Sequence, residues 1–286
     1  MATRAAALRV LVATDGSPQA RAAITTVVRF PWPAGTRVQA VVARPGRGTH
    51  IDRRVDSAAA GARRGLARRW PDSRVVVVNK TAVDGILSEA KRFRADVIVV
   101  GWRGHGSVRR LLMGSVSRSV VRAAGCSVLV VRRPPRRVRT IVIGFDTSPG
   151  ALRAVRLVAR LVAPEDGRVT LISAVEVIGP SSLAPVTGGI RATISHEVKR
   201  INTARTAKTT KALNRAAKQL ERNGWRTRIT LRSGEPLREL SAAVAKGHPQ
   251  LLAVGSRGSS GVRHLLLGSV VEGILNRLPV PVLVAR

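Results

Sequence analysis

Branched aliphatic residues gather in short runs along this chain, and between the runs apolar positions recur every three or four residues. Runs at 8–14, 36–43, 73–78, 96–100 and 127–131 are apolar enough to be strands buried on both faces. The segments between them, 18–30, about 53–70, 83–93 and 115–124, have the spacing of amphipathic helices. The succession begins again with a strand at 139–145, continues with one starting at 169, and closes with strands at 251–254 and 280–284. Its second helix is expected to be longer, over roughly 191–223. Regular alternation of strand and helix predicts an α/β chain of two doubly wound parallel sheets, five strands in each. A connector rich in arginine, with Pro134 and Pro135 at its centre, divides the chain into domains 1–135 and 136–286.

The halves are copies of one another. Segments 101–116 and 255–270 agree at ten of sixteen positions, and both read G-x2-G-x9-G-S. Asp15, Ser17 and Pro18 after the first strand match Asp146, Ser148 and Pro149. From aspartate to first motif glycine is 86 residues in one half and 109 in the other. The additional residues fall mostly between 176 and 200, where Gly179, Pro180, Pro185, Gly188 and Gly189 predict an irregular loop.

The repeated pattern suits a phosphate. Gly101 and Gly255 end apolar strands, where glycine lets the backbone turn and approach a ligand. Gly114-Ser115 and Gly268-Ser269 then open apolar-periodic stretches. A helix N-terminus there presents free N–H groups and the positive end of its dipole. The serine hydroxyl is suited either to capping the helix or to bonding a phosphate oxygen. Arg103 and Arg257 lie inside the loops, and Arg109 and Arg263 recur at one offset. A guanidinium near phosphates would help; solvated arginines are the alternative. Asp-x-Ser-Pro is also a good turn and N-cap arrangement without any ligand.

These residues resemble a tandem universal stress protein of the ATP-binding type, over about 6–133 and 138–286. The resemblance implies an open α/β fold of the adenine nucleotide alpha hydrolase-like kind, with one ATP site per domain and Mg²⁺ as an optional companion. It implies that Asp15 and Asp146 contact the adenosine part, with Ala13 and Gly144 two residues before them. It assigns Gly101, Arg103, Gly104, Gly114, Ser115 and Val116 to the phosphate and ribose loop of the first domain, and Gly255, Arg257, Gly258, Gly268, Ser269 and Val270 to that of the second. Val175 matches a residue whose backbone meets adenine; its counterpart is Arg44, a departure. Another departure is Trp102, standing where the second half has Ser256. An indole there would wall the pocket, stack on a base or point outward. The second domain, ending in the family's Pro279 and Pro281 pattern, is the better match.

Charge changes the picture in one respect. The chain carries +34, and only seven of its 50 basic residues are lysine. That field permits nonspecific binding of nucleic acid or other polyanions. With three phenylalanines and no tyrosine, base stacking is poorly served. The lone Cys126 excludes a disulfide framework and is expected to be an inert small core residue. The first residues lack the apolar stretch of a signal peptide, and no run spans a bilayer, so a soluble cytoplasmic protein is expected. No P-loop lysine appears, and the histidines form no pair with a matched carboxylate; His105 and His264 read as exposed loop residues. Catalytic residues and a metal site are therefore not assigned, and weak ATP hydrolysis is the most expected of it as an enzyme. The expected function is that of an ATP-binding stress-response sensor or regulator. The alternatives are an interaction module without nucleotide, a slow ATPase and a polyanion binder. The two final strands are expected to pair as an intramolecular pseudo-dimer, with a homodimer as a further option.

Overall fold

A computed structural model describes residues 7–46, 48–104, 113–175, 188–258 and 267–286, without the side chains of 175 and 188–195. The first half contains β1 (Arg9–Ala13), α1 (Pro18–Arg29), β2 (Arg37–Ala43), α2 (Thr49–Ala67), β3 (Arg74–Val78), α3 (Ala82–Phe93), β4 (Val97–Gly101), α4 (Ser115–Ala123) and β5 (Ser127–Val131). The second contains β6 (Thr140–Gly144), α5 (Pro149–Ala159), β7 (Arg168–Val175), α6 (Gly188–Glu221), β8 (Arg226–Ser233), α7 (Pro236–Gly247), β9 (Leu251–Gly255), α8 (Ser269–Arg277) and β10 (Val282–Ala285).

Local chemistry explains where the helices begin. Ser17 Oγ accepts from the Ala20 N–H at 3.1 Å, and Pro18 supplies a first-turn φ. Ser148 and Pro149 repeat this on α5, with Ala151 as donor at 3.1 Å. Thr81 caps α3 through the Asp84 N–H, and Asp84 accepts the threonine hydroxyl in return at 2.7 Å. Two helices, α3 and α7, end on a left-handed residue, Arg94 and His248.

Within each half all strand pairs are parallel, and each sheet reverses direction of growth between β1 and β4, or β6 and β9. The alternation of β1 shows how both faces are filled. Leu8, Val10 and Val12 join a core with Ala23 and Val27 of α1 and Leu66 of α2. Leu11 and Ala13 join the opposite core with Ile86 of α3 and Val120 of α4. Both cores run through both halves.

The sheets are continuous, in the order β3-β2-β1-β4-β5-β10-β9-β6-β7-β8. At the join β5 and β10 are antiparallel, with Leu129 opposite Leu283 and Val130 opposite Val282. Equivalent leucines facing each other are what a pseudo-twofold axis between copies requires. Each final strand covers the other's exposed edge. Pairing begins at Val282 rather than at Val280, since Pro281 has no N–H to donate to a ladder. Helix α2 starts four residues before the expected 53, and α6 spans 188–221 rather than 191–223. Of the irregular loop expected between 176 and 200, residues 176–187 lie outside the described residues, whereas Gly188 and Gly189, expected within it, open α6 instead.

Candidate functional site

The site is built twice, beyond the carboxyl ends of the first and fourth strands of each half. Asp15 follows β1, and its Oδ1 accepts from the Ser17 N–H at 3.0 Å. Asp146 does the same with the Ser148 N–H, also at 3.0 Å. These turns fix the carboxylates ahead of the capped helices, so the turn role read from the sequence is real. It leaves the other carboxylate oxygen facing the glycine loop. A Cβ on Gly104 would stand 2.6 Å from Asp15 Oδ2, and one on Gly258 3.1 Å from Asp146 Oδ2. The second glycine of each motif is therefore the one its aspartate approaches.

The first glycine has a different reason. A Cβ on Gly101 would meet Gln19 backbone atoms at 2.8 Å, and one on Gly255 would meet Gly150 C at 2.6 Å and Ala151 N at 2.7 Å. The strand end is wedged against the opening turn of α1 or α5, and glycine is needed for packing whatever binds nearby. The third glycine differs between copies. A Cβ on Gly114 would lie 3.1 Å from Arg103 Cα, whereas one on Gly268 finds nothing nearer than Ser256 O at 3.7 Å. Gly255→Ala is accordingly expected to lower stability by about 1–3 kcal/mol, because only backbone can yield. Gly268→Ala should leave the urea midpoint nearly unchanged. Equal midpoints for the two variants would refute this division of roles.

The motif ends by opening a helix. Gly114 and Gly268 are the N-cap residues of α4 and α8, and neither helix has a side-chain cap bond. Ser115 and Ser269 occupy the first helical position and are exposed. Neither serine caps its helix. Gly114 N donates to Trp102 O at 2.9 Å, and Gly268 N to Ser256 O at 3.1 Å, which closes each loop at its base. Ser117 Oγ holds Gly101 O at 2.6 Å in the first half.

Other expected site residues fall around this frame. Ala13 and Gly144 end their strands two positions before the aspartates. Val116 is exposed and Val270 half-buried in the first turns of α4 and α8. Val175 is the last residue of β7, paired with Ser233. Its counterpart Arg44 is tethered: its N–H donates to Val78 O at 2.8 Å, and its Nε lies 3.5 Å from Asp52 of α2. Arg257 is exposed, and its carbonyl accepts from Ser148 Oγ at 3.3 Å. Arg109, Arg263, His105 and His264 lie outside the described residues.

Of the three roles open to Trp102, pointing outward is excluded. The residue is 5% exposed, and its Nε1 donates to Leu275 O in the other half at 2.7 Å. The guanidiniums of Arg103 and Arg132 lie over its ring at 4.2 and 4.0 Å. Sequence reasoning gave no role to Arg132 or to its counterpart Arg286. The signal was there: each is the first residue after its half's last strand.

Among the described residues no group of three His, Cys, Asp or Glu side chains is placed to hold a metal. Cys126 is half-buried, and burial above all, with Asp96 adding to it, pushes its thiol up to about 11. Alkylation by iodoacetamide at pH 8 is expected to be about a hundredfold slower in the folded protein than in urea. Because the folded value is raised, this group's contribution to stability is complete below the unfolded value, about 8.5, and is lost as pH climbs toward 11. Equal labelling rates would contradict it.

Fold and site together define a tandem α/β protein in which each half sets a glycine-capped helix N-terminus beside an aspartate. The pattern of the universal stress protein family matches residues 7–132 and 137–286, and the chain belongs to that family. A universal stress protein of Mycobacterium tuberculosis strain H37Rv is 30% identical over 206 residues, covering 67% of this chain. The chain spans 62% of that relative's length. Among solved structures, a universal stress protein from Archaeoglobus fulgidus shares the fold with a TM-score of 0.61 at 18% identity, covering 97% of this chain and 98% of its own. A protein of unknown function from Pseudomonas aeruginosa PAO1 does so with a TM-score of 0.63 at 15% identity, covering 98% and 92%. The architecture is the Rossmann-like adenine nucleotide alpha hydrolase fold, in two tandem domains.

Proposed function

We propose that the chain is an ATP-binding sensor or regulator with one adenine-nucleotide site in each half, 1–135 and 136–286. The observation that carries this reading is the juxtaposition, made twice, of a carboxylate oxygen, a loop glycine on which a Cβ would crowd that oxygen, and a helix opening with no side-chain cap. Polyphosphate fits such a helix end through backbone N–H groups and the dipole. The aspartates suit ribose hydroxyls as acceptors, and a carboxylate beside phosphates suits Mg²⁺ as well. Arg103 and Arg257 add charge at the loops. The two halves, joined through β5 and β10, act as a pseudo-dimer in one chain.

The reading is of binding rather than turnover, in a cytoplasmic protein; no described helix is long and apolar enough to cross a membrane. Equilibrium titration with ATP tests it, with two equivalents per chain as the expected result. No uptake would favour an interaction module, and turnover above background that is lost in Asp15→Ala or Asp146→Ala would favour a slow ATPase.

One feature supports a second activity. Helix α6 has 34 residues against 19 in α2, and none from 196 to 212 is buried. Lys199, Arg200, Arg205, Lys208, Lys211, Arg215 and Lys218 make it strongly basic, with four of the chain's seven lysines. Such a face would bind phosphodiester backbones without sequence preference. Binding to duplex DNA should fall steeply with salt and be indifferent to ATP. Lys208→Gln with Lys211→Gln should lower the log–log salt slope by about two. An unchanged slope would exclude α6 as the contact.

A further inference from the structure

We infer that each glycine-loop site is held in place by the opposite half, so that the two sites bind ligand as a coupled pair, with Trp102, Asn276, Arg132 and Arg286 as positioning residues. This rests on the nucleotide reading and adds how one site answers the other.

The connection runs along α8. Trp102, next to Gly101, donates its indole N–H to Leu275 O at 2.7 Å. Met113, next to Gly114, donates its N–H to Asn276 Oδ1 at 3.4 Å. Both flanks of the first loop are thus fastened to the last turn of a nine-residue helix. The first residue of that helix is Ser269 of the second site. A ligand that fixes Trp102 and Met113, the flanks of the first loop, fixes the far end of the element on which the second ligand sits.

A reciprocal link runs the other way. Arg286, which follows β10, donates Nη2 to Val121 O at 2.8 Å and to Arg122 O at 2.7 Å. Those carbonyls close α4, whose first residue is Ser115 of the first site. Its counterpart Arg132 reaches Leu278 O at the end of α8 at 3.5 Å. Cations at helix C-termini are favourably placed. Glu272 of α8 pairs with Arg122 of α4, joining the two site helices directly.

Each crossing arginine also feels its own loop. Burial first, and then Arg103 and Arg133, lower Arg132. Burial first, and then Arg257, lower Arg286. The flanks of the first loop and the last turn of α8 are held by the same two bonds, so a ligand that fixes one favours the other, and the sign of the coupling is positive. The second loop has Ser256 in place of the indole, so the first loop has the stronger attachment.

Calorimetric titration with a nonhydrolysable ATP analogue tests this on the full chain. Ser115→Asp closes the first site and Ser269→Asp the second. Each remaining isolated site is expected to bind about fivefold or more weakly than the same site in the doubly loaded wild type, a coupling of ordinary size. Trp102→Phe, which keeps a ring and removes the donor, should bring that factor toward one. In the Ser269→Asp variant, analogue bound at the first site should slow amide exchange at residues 272–277. Two equivalents with constants equal to those of the isolated sites, or unaltered exchange in α8, would overturn the coupling alone. Failure of the wild type to take up any analogue would overturn the nucleotide reading beneath it.

Discussion

Ser269→Asp is expected to remove nucleotide from the second site, by about a hundredfold or more in affinity, and to leave the fold intact. Ser269 is exposed and begins α8, where an acidic side chain favours the helix dipole by about 0.3–1 kcal/mol. Unfolding stability should therefore hold or rise slightly. In the proposed site the same carboxylate would face the phosphate. Two like charges about 4 Å apart repel by about 4 kcal/mol at the dielectric of a protein surface, and about 1.4 kcal/mol is already a factor of ten. Titration of the variant should reveal one equivalent of ATP where two are expected for the wild type. Ser115→Asp should do the same in the first half. Two undiminished equivalents in Ser269→Asp would place the phosphates elsewhere and remove the central support for the proposed function.

Trp102→Ala is expected to cost about 3–5 kcal/mol of stability, the usual range for emptying a buried aromatic site. The indole is 5% exposed, bonded to Leu275 O, and covered by two guanidiniums. Its removal opens a void between the halves and leaves Arg103 and Arg132 facing one another without the ring. Trp102→Phe should restore more than half of the loss. Urea denaturation followed by circular dichroism measures both. A cost under about 1 kcal/mol would show that the indole adds little to the join.

Much of this was legible in the residues. Runs such as 97–100 and 251–254 are apolar throughout because strands of a doubly wound sheet are covered on both faces. The aspartates, the serine caps and the three glycines of each motif could be aligned because duplication preserved their spacing. The reasons for the glycines could not be separated. One string contains a glycine that packs on a helix, one that makes room for a carboxylate, and one that caps. Those reasons depend on distances to Gln19, Asp15 and Arg103, and spacing along the chain does not encode them.

By itself, then, the order of residues determined the repeat, the strand and helix succession, and the two loops with their aspartates, since all of these follow from local periodicity and turn chemistry. Only the tertiary structure decided where Trp102 goes and what Arg132 and Arg286 do. Their partners, Leu275, Leu278, Val121 and Arg122, lie roughly 150 residues or more away and are engaged chiefly through backbone carbonyls. Every residue has a carbonyl, so no side-chain pattern marks which ones will be used. The antiparallel meeting of β5 and β10 selects them, by turning the end of α8 toward the first half's loop and Arg286 toward the end of α4.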